Sequence, residues 1–349
     1  MKKIAIIGAT GATGLELTKL AVNAGYDEDK LLLIASLKSV GKKIVVNEQE
    51  FIIKPLSVLF TESPDTVFLA AGSKVSSILR PQLKDLKATV IDLSSVFRQE
   101  ADVPLIIPEI NPESCDFTKD FWIASPNCVT TLYLMVLAPL FKVFSPKKTL
   151  LSTYQAASGA GYFAMEELQK ETQAYLNNEP YSQKAFQDPY AFNLFAHNAP
   201  FLSEDDNEEE IKIRTESQKI LGNPNFKVSA TCVRVPTLRA HAISAYVEFE
   251  NDLSLDEIHA ILDQAPGIKR YDNFKDNRFA TPQIASCQND VYYGRIRKDP
   301  CQTEAFWFWI VGDQLLKGAA LNAWQIFLLK AKNETLHFNT RSNSPPFSS

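Results

Sequence analysis

Cysteine is scarce and unpatterned in this chain of 349 residues: there are five, and none stands in a CxxC spacing. An odd, scattered set excludes a disulfide framework and a cysteine-built zinc site, and no metal is expected; it fits a reducing, cytoplasmic setting. Long apolar runs are also missing. No stretch reaches about 18 apolar residues, so no helix is expected to span a bilayer. The opening "MKKIAIIGATGATG" carries lysines and a short apolar run, as a signal peptide does. The run is only "IAII", short of the roughly 7–15 residues of such a core, so it reads as a strand feeding a glycine turn. Charge of one sign is lacking too. The net charge of −5 is modest and mixed, which argues against a nucleic-acid partner and against membrane attraction. There is no internal repeat, and there are only four histidines.

What is present is apolar content, 45% of the chain, enough for two domains with their own cores. Over the first 125 or so residues, "KIAIIG", "LLLIAS", "TVFLAAG" and "ATVIDLSS" are short apolar runs that stop at Ser, Gly or Asp. Between them lie helical patterns such as "GLELTKLAVNAG", ending at Gly25. Apolar strands alternating with helices imply a parallel sheet covered on both faces. After about residue 145 the texture changes. "KTLLSTYQAASG", "FKVSATCVRVP" and "HAISAYVEFE" read as longer, partly alternating strands of an α+β region with a mostly antiparallel sheet. "FAMEELQKETQAYL" and "SLDEIHAILDQA" are helical between them, and "VGDQLLKGAALNAWQIFLLKAK" is a closing helix. The polar tail 333–349 has two prolines and is expected to be mobile. The acidic run "EDDNEEE", Glu204 to Glu210, reads as a solvated helix entrance, where carboxylates complement the dipole.

Gly8, Gly11 and Gly14 in "IAIIGATGATGLEL" lie between a strand and a helix. Glycines there allow a sharp turn and close approach to a pyrophosphate, and the helix N-terminus supplies N–H donors. The spacing is GxxGxxG and not GxGxxG, but its place between strand and helix favours a dinucleotide site. The next strand ends in "SLKS", with no acid to grip a ribose 2′-hydroxyl. Ser36 and Lys38 suit a 2′-phosphate instead, which points to NADP.

Among the cysteines, Cys128 has the most telling setting. It follows the turn sequence "SPN" and precedes "VTTLYLMVLAPLF", so its sulfur falls at a helix N-terminus, where thiolate is favoured. It also stands where the cofactor-like pattern gives way to the second region. A thiolate beside a nicotinamide suggests aldehyde oxidation through a thioester, or the reverse. His241 lies just after a strand and seven residues beyond Arg234, and is the best candidate for general acid–base work; His197 is an alternative.

"GATGATG", "DLSSVFR", "SPNCVTT", "YQAASGAG", "ATCVRVPTLRAH" and "DQLLKGAALNA" occur together and in order, over about residues 1–330. In this the chain resembles the aspartate-semialdehyde dehydrogenase family. The resemblance implies an NADP-binding Rossmann-like domain at 1–127 completed by about 313–332, and a catalytic and dimerisation domain at 128–312. It implies a cytoplasmic homodimer or homotetramer that interconverts aspartyl phosphate with aspartate semialdehyde and inorganic phosphate, on the route to lysine (through diaminopimelate), threonine and methionine. It makes Cys128 the nucleophile, has Gln155 orient the substrate, and has His241 move the proton. Arg234 takes the substrate carboxylate, Glu209 (or the neighbouring Glu210) its ammonium, and Lys212 and Arg98 the phosphate. For the cofactor it implies Gly8, Thr10, Gly11, Ala12, Thr13, Ser36, Lys38, Gly72, Ser158, Gly159 and Gln314. Departures are Val129, where a small polar residue is usual, Lys38 where arginine is common, and the poorly matching "FAHNAPFLSEDDN".

A rival is N-acetyl-γ-glutamyl-phosphate reductase, with the same fold and chemistry. It typically has Pro-Gly-Cys before Tyr-Pro-Thr where this chain has "PNCVTT", and it lacks the "CVRVP…H" block. A non-enzymatic NADPH-binding protein is opposed by the joint presence of nucleophile, base and arginine.

Overall fold

The short apolar runs become the strands of a parallel sheet. The computed structural model describes residues 2–342 except 120, 183, 203 and 204, and only the backbone over 334–342. Two compact units emerge. The first comprises the chain up to Thr10, Leu17–Ser125 and the chain from Asn322 onward; the second comprises Gly11–Glu16 and Pro126–Leu321. The chain thus returns to the first unit at Asn322.

The first unit contains β1 (Ile4–Ile7), most of α1 (Ala12–Asn23), β2 (Leu31–Ile34), β3 (Lys43–Val46), β4 (Gln49–Ile52), α2 (Val58–Glu62), β5 (Thr66–Leu69), α3 (Ser73–Asp85), β6 (Thr89–Asp92) and β7 (Trp122–Ala124). The sheet order is β2-β1-β5-β6-β7, with every pairing parallel. Each residue of β1, β2, β5 and β6 is buried, as a sheet covered on both faces requires. The order reverses at β1, the switch point beside which such sheets bind ligands at their carboxyl ends. β3 and β4 form a hairpin whose two turn residues, Asn47 and Glu48, both have positive φ, matching the strand twist.

The second unit contains α4 (Cys128–Phe141), β8 (Pro146–Gln155), α5 (Tyr162–Leu176), β9 (Phe195–Ala196), α6 (Glu208–Ile220), β10 (Val228–Arg234), β11 (His241–Phe249), α7 (Leu255–Leu262), β12 (Ile268–Arg270), β13 (Asp272–Asn273), β14 (Arg278–Phe279), α8 (Pro282–Ala285), β15 (Val291–Lys298) and β16 (Ala305–Gly312). Its large sheet runs β12-β15-β16-β11-β8-β10-β9, parallel only at β12/β15 and β8/β10. Along β8, Thr149, Leu151, Thr153 and Gln155 are buried while Leu150, Ser152 and Tyr154 are exposed. That alternation is the mark of a sheet with one covered face. Helix α4 packs among β11, β15, β16, α6 and α7, which is why it is apolar on nearly every side.

Register brings chemistry to one end of this sheet. Gln155 ends β8 and Arg234 ends β10, and the two are paired in the parallel ladder. His241 opens the antiparallel neighbour β11, so it stands at the same end.

The closing helix α9 (Leu321–Ser342) belongs to the first unit from Asn322 on. Trp324 stacks on Phe68 at 5.9 Å and meets Phe327 at 5.0 Å. Asn322 donates to the Ile106 carbonyl and to Ser125 Oγ, both at 3.0 Å. The helix continues past Asn333, where the sequence pattern suggests a mobile tail. No Gly or Pro interrupts that stretch, and extending an established helix costs little. The prolines of the tail lie outside the described residues. Among the described residues, no helix is long and apolar enough to cross a membrane.

Candidate active site

The glycine turn follows β1 directly. Gly8 has φ 91°, and a Cβ there would lie 2.5 Å from the Ala70 carbonyl oxygen. Its N–H donates to the Ile34 carbonyl at 2.9 Å. Only glycine meets both constraints. Thr10 and Gly11 complete the turn, and Ala12 and Thr13 open α1. Gly72, at φ 82°, precedes α3 and faces open space. Ser36 leads into a short 3₁₀ turn, Leu37–Ser39, on which Lys38 is exposed. A sharp glycine turn at a helix start fits a dinucleotide.

Asp92 ends β6 fully buried. It accepts from the Ser94 N–H at 2.8 Å and Ser76 Oγ at 3.0 Å. Burial raises its carboxyl above the usual range despite those donors and the Arg98 charge. Arg98 is itself buried in the first unit and donates to the Leu93 carbonyl at 2.9 Å.

In the second unit Cys128 is the first residue of α4 and is partly exposed. The helix starts there because Asn127 caps it, with Oδ1 accepting from the Val129 and Thr130 N–H groups at 2.8 and 3.2 Å. Asn127 is also a hub. Its Nδ2 donates to Glu209 Oε1 at 2.9 Å, and its own N–H donates to Glu216 Oε2 at 2.6 Å. Gln155 Nε2 donates to the same Glu209 oxygen at 3.1 Å.

Neighbouring glutamates have different work. Glu210 closes a capping box with Asn207 and accepts from the Cys232 N–H at 3.1 Å. Glu209 is buried, unlike the solvated run the sequence suggests. Burial raises its carboxyl, but His197, Lys212 and the amide donors of Asn127 and Gln155 reverse this and hold it below the ordinary range. Lys212 Nζ lies 2.6 Å from Glu208 and 3.9 Å from Glu209.

The Ala156 backbone clamps two further side chains. Its N–H donates to His241 Nδ1 at 3.0 Å, and its carbonyl accepts from Arg234 Nη1 at 3.2 Å. Gly159 admits both: a Cβ there would be 3.1 Å from Arg234 Nη1 and 3.2 Å from His241 Nε2. His241 is fully buried, and burial, with the Arg234 charge, pushes it down to about 3. It is therefore neutral, and since Nδ1 accepts, the proton belongs on Nε2, which has no hydrogen-bond partner among the described residues. His197 is pushed down to about 4 by burial and then by Arg234. Cys232 is sealed in and its thiol is driven well up by burial. Ser158 Oγ is bonded by Gln314 Nε2, and Gln314 Oε1 accepts from the Ala240 N–H at 2.8 Å.

The second unit thus brings together Cys128, Gln155, Glu209, Lys212, Arg234 and His241, with Ser158, Gly159 and Gln314 adjoining. Gly8, Thr10, Ser36, Lys38, Gly72 and Arg98 belong to the first unit, while Gly11, Ala12 and Thr13 cluster with the second. Asn127 and Glu216 escape sequence reasoning. An asparagine directly before a helix was the available signal for the first; the second carries none.

Known proteins resemble this chain in sequence and fold. Residues 3–117 match the family model described as semialdehyde dehydrogenase, NAD binding domain, and residues 137–317 match semialdehyde dehydrogenase, dimerisation domain. The chain is 40% identical to an aspartate-semialdehyde dehydrogenase of Prochlorococcus marinus, over 93% of this chain and 94% of that one. It belongs to the aspartate-semialdehyde dehydrogenase family. A Bacillus subtilis relative of the same name is 36% identical over 93% of this chain and 95% of its own. The crystal structure of aspartate semialdehyde dehydrogenase II complexed with ASA from Vibrio cholerae superposes with a TM-score of 0.90, at 31% identity, covering 95% of this chain and 98% of that one. The chain is accordingly an oxidoreductase with a nicotinamide-dinucleotide-binding domain.

Proposed function

We propose that this chain catalyses the reversible, NADP-dependent reductive dephosphorylation of L-4-aspartyl phosphate to L-aspartate 4-semialdehyde, in the biosynthesis of lysine, threonine and methionine. The observation that carries the reading is the convergence of Cys128, Gln155, Glu209, Arg234 and His241 at one end of the second unit's sheet, around the N-terminus of α4. Cys128 Sγ attacks the acyl carbon, the bond to the phosphate oxygen breaks, phosphate departs, and a thioester remains. Thiolate at a helix N-terminus supports that role. Arg234 takes the substrate carboxylate with its planar guanidinium, and Glu209 takes the ammonium. Gln155 orients the acyl group, and Lys212 and Arg98 receive phosphate. His241, neutral with its proton on Nε2, donates that proton to the oxyanion of the hemithioacetal and takes it back as the carbon–sulfur bond breaks, releasing the aldehyde and the Cys128 thiolate; the steps run backwards in the oxidative direction.

When bound, the nicotinamide supplies the hydride. Gly8, Thr10, Gly11, Ala12, Thr13, Gly72, Ser158, Gly159 and Gln314 are assigned to hold the cofactor, and Ser36 and Lys38 to meet the 2′-phosphate. The lack of an acid after β2 supports NADP over NAD. Self-association is assigned to the open face of the large sheet, where Leu150 and Tyr154 are exposed; the dimerisation-domain match supports a homodimer or homotetramer. Five cysteines with no CxxC spacing suit a cytoplasmic setting.

The test is phosphate-dependent reduction of NADP with aspartate semialdehyde, run beside NAD and beside Cys128→Ala. Turnover is expected with NADP and lost in the variant, while cofactor binding survives. Unchanged turnover in Cys128→Ala removes the thioester route. With NADPH and both acyl phosphates supplied, turnover of only the N-acetyl-glutamyl one would reassign the substrate.

A further inference from the structure

Between β16 and α9 the chain makes an unusually wide turn, Leu316–Ala320, in π-helical geometry. Its hydrogen bonds span five residues: Gly318 N–H to the Asp313 carbonyl at 3.1 Å and Ala320 N–H to the Leu315 carbonyl at 2.9 Å. Such insertions strain a helix and persist where they place something. Buried Asp313 supports the turn at its start. Its Oδ1 accepts from the Leu315 and Leu316 N–H groups at 2.9 and 3.1 Å. Its Oδ2 accepts from Arg239 Nε and the Cys287 N–H, both at 2.6 Å.

The turn touches the reacting groups at two places. Gly318 lies against the start of α4: a Cβ there would stand 3.0 Å from Cys128 Cβ, 3.4 Å from Cys128 Cα and 3.3 Å from Gln314 Cβ. Gln314 reaches the other way, to Ser158 and to the backbone of Ala240, the residue before His241. Ala240 holds φ 69°, uncommon for a residue with a side chain, so that anchor fixes a backbone that would otherwise relax.

We propose that this π-turn is a positioning device for the nucleophile and its acid–base partner, and that Gly318 is a positioning residue whose missing side chain seats Cys128. The inference rests on the reading of Cys128 as nucleophile. Cys128 has little room to yield. The preceding residue is pinned by Glu216 and Glu209, and it caps the helix that Cys128 opens. A methyl at 318 therefore displaces the sulfur by a few tenths of an ångström. Since a misplacement of about 1 Å can cost roughly 100-fold in rate, a loss on the order of 10-fold in kcat is expected.

The experiment compares wild type, Gly318→Ala and Ala319→Gly on the full-length enzyme. It measures kcat, KM, thermal midpoint, and the pH dependence of Cys128 alkylation by iodoacetamide, read on the Cys128 peptide by mass spectrometry. Gly318→Ala is expected to lower kcat with little change in KM and to shift the alkylation profile. Ala319→Gly, which adds no atom against Cys128, is expected to leave that profile in place. If Gly318→Ala lowers only the thermal midpoint, with kcat and the profile unchanged at a temperature where it is folded, the proposal is wrong. If it fails to fold, Asp313→Asn serves, and an unshifted alkylation profile there overturns the proposal equally. Failure of the nucleophile reading is separate: Cys128→Ala would then retain turnover whatever position 318 does.

Discussion

Acid should destabilise this chain through two buried imidazoles, and the sign follows from their environment. His241 is held down to about 3 and His197 to about 4, against an ordinary value of 6.5. The unfolded chain takes up both protons as pH falls through 6.5, while the folded chain refuses them until about 4 and 3. Their stability contribution is thus fully present above pH 6.5 and drains away below it. At about pH 4.5, two units below the free value, each withheld proton costs up to about 2.7 kcal/mol. The two share the Arg234 field, so about 2 kcal/mol each is the working figure. That is a large part of a typical folding stability of roughly 5–15 kcal/mol. The assay is the thermal midpoint by circular dichroism from about pH 7.5 to 4.5, for wild type, His197→Asn and His241→Asn. Asparagine keeps an acceptor for the Ala199 or Ala156 N–H and cannot be protonated. Carboxylates remote from the two imidazoles act alike in all three and cancel in the comparison. Each variant should lose less on acidification than wild type, by about 3 °C at the low-pH end. Parallel pH profiles would refute the reasoning.

Three further outcomes are expected. Asn127→Ala removes a helix cap and strips one donor from buried Glu209, so it should cost about 2–3 kcal/mol in a urea melt and slow alkylation of Cys128. Gly8→Ala forces a Cβ against the Ala70 carbonyl at positive φ, and should cost about 3 kcal/mol by the same melt. Glu209→Gln should raise KM for aspartate semialdehyde strongly, whereas Glu210→Gln, which bonds to the cap and the Cys232 N–H, should lower the melting midpoint and leave KM unmoved.

Local features were legible without coordinates wherever a few adjacent residues decide the conformation. Four-residue apolar runs became β1, β2, β5 and β6 because a strand buried on both faces needs nothing else. Cys128 could be put at a helix start because "SPN" is a turn and the run after it is apolar. "AFWFWIVG" went unread, although it forms β16 in the middle of the larger sheet, because an apolar stretch of that length has no distinguishing period. The β3–β4 hairpin also went unread: its turn is Asn-Glu, without the glycine that usually signals one.

By itself, the order of residues determined the alternation of strands and helices, the glycine turn at Gly8 and the identity of the chemical groups. Only tertiary structure decided that Glu209, and not Glu210, faces Asn127 across 82 residues of chain, and that Gly318 backs Cys128. Propensity and turn chemistry act over a handful of neighbours. Which distant side chains meet is set by strand register and by the demand that every buried polar group find a partner, and both are properties of the whole packed chain.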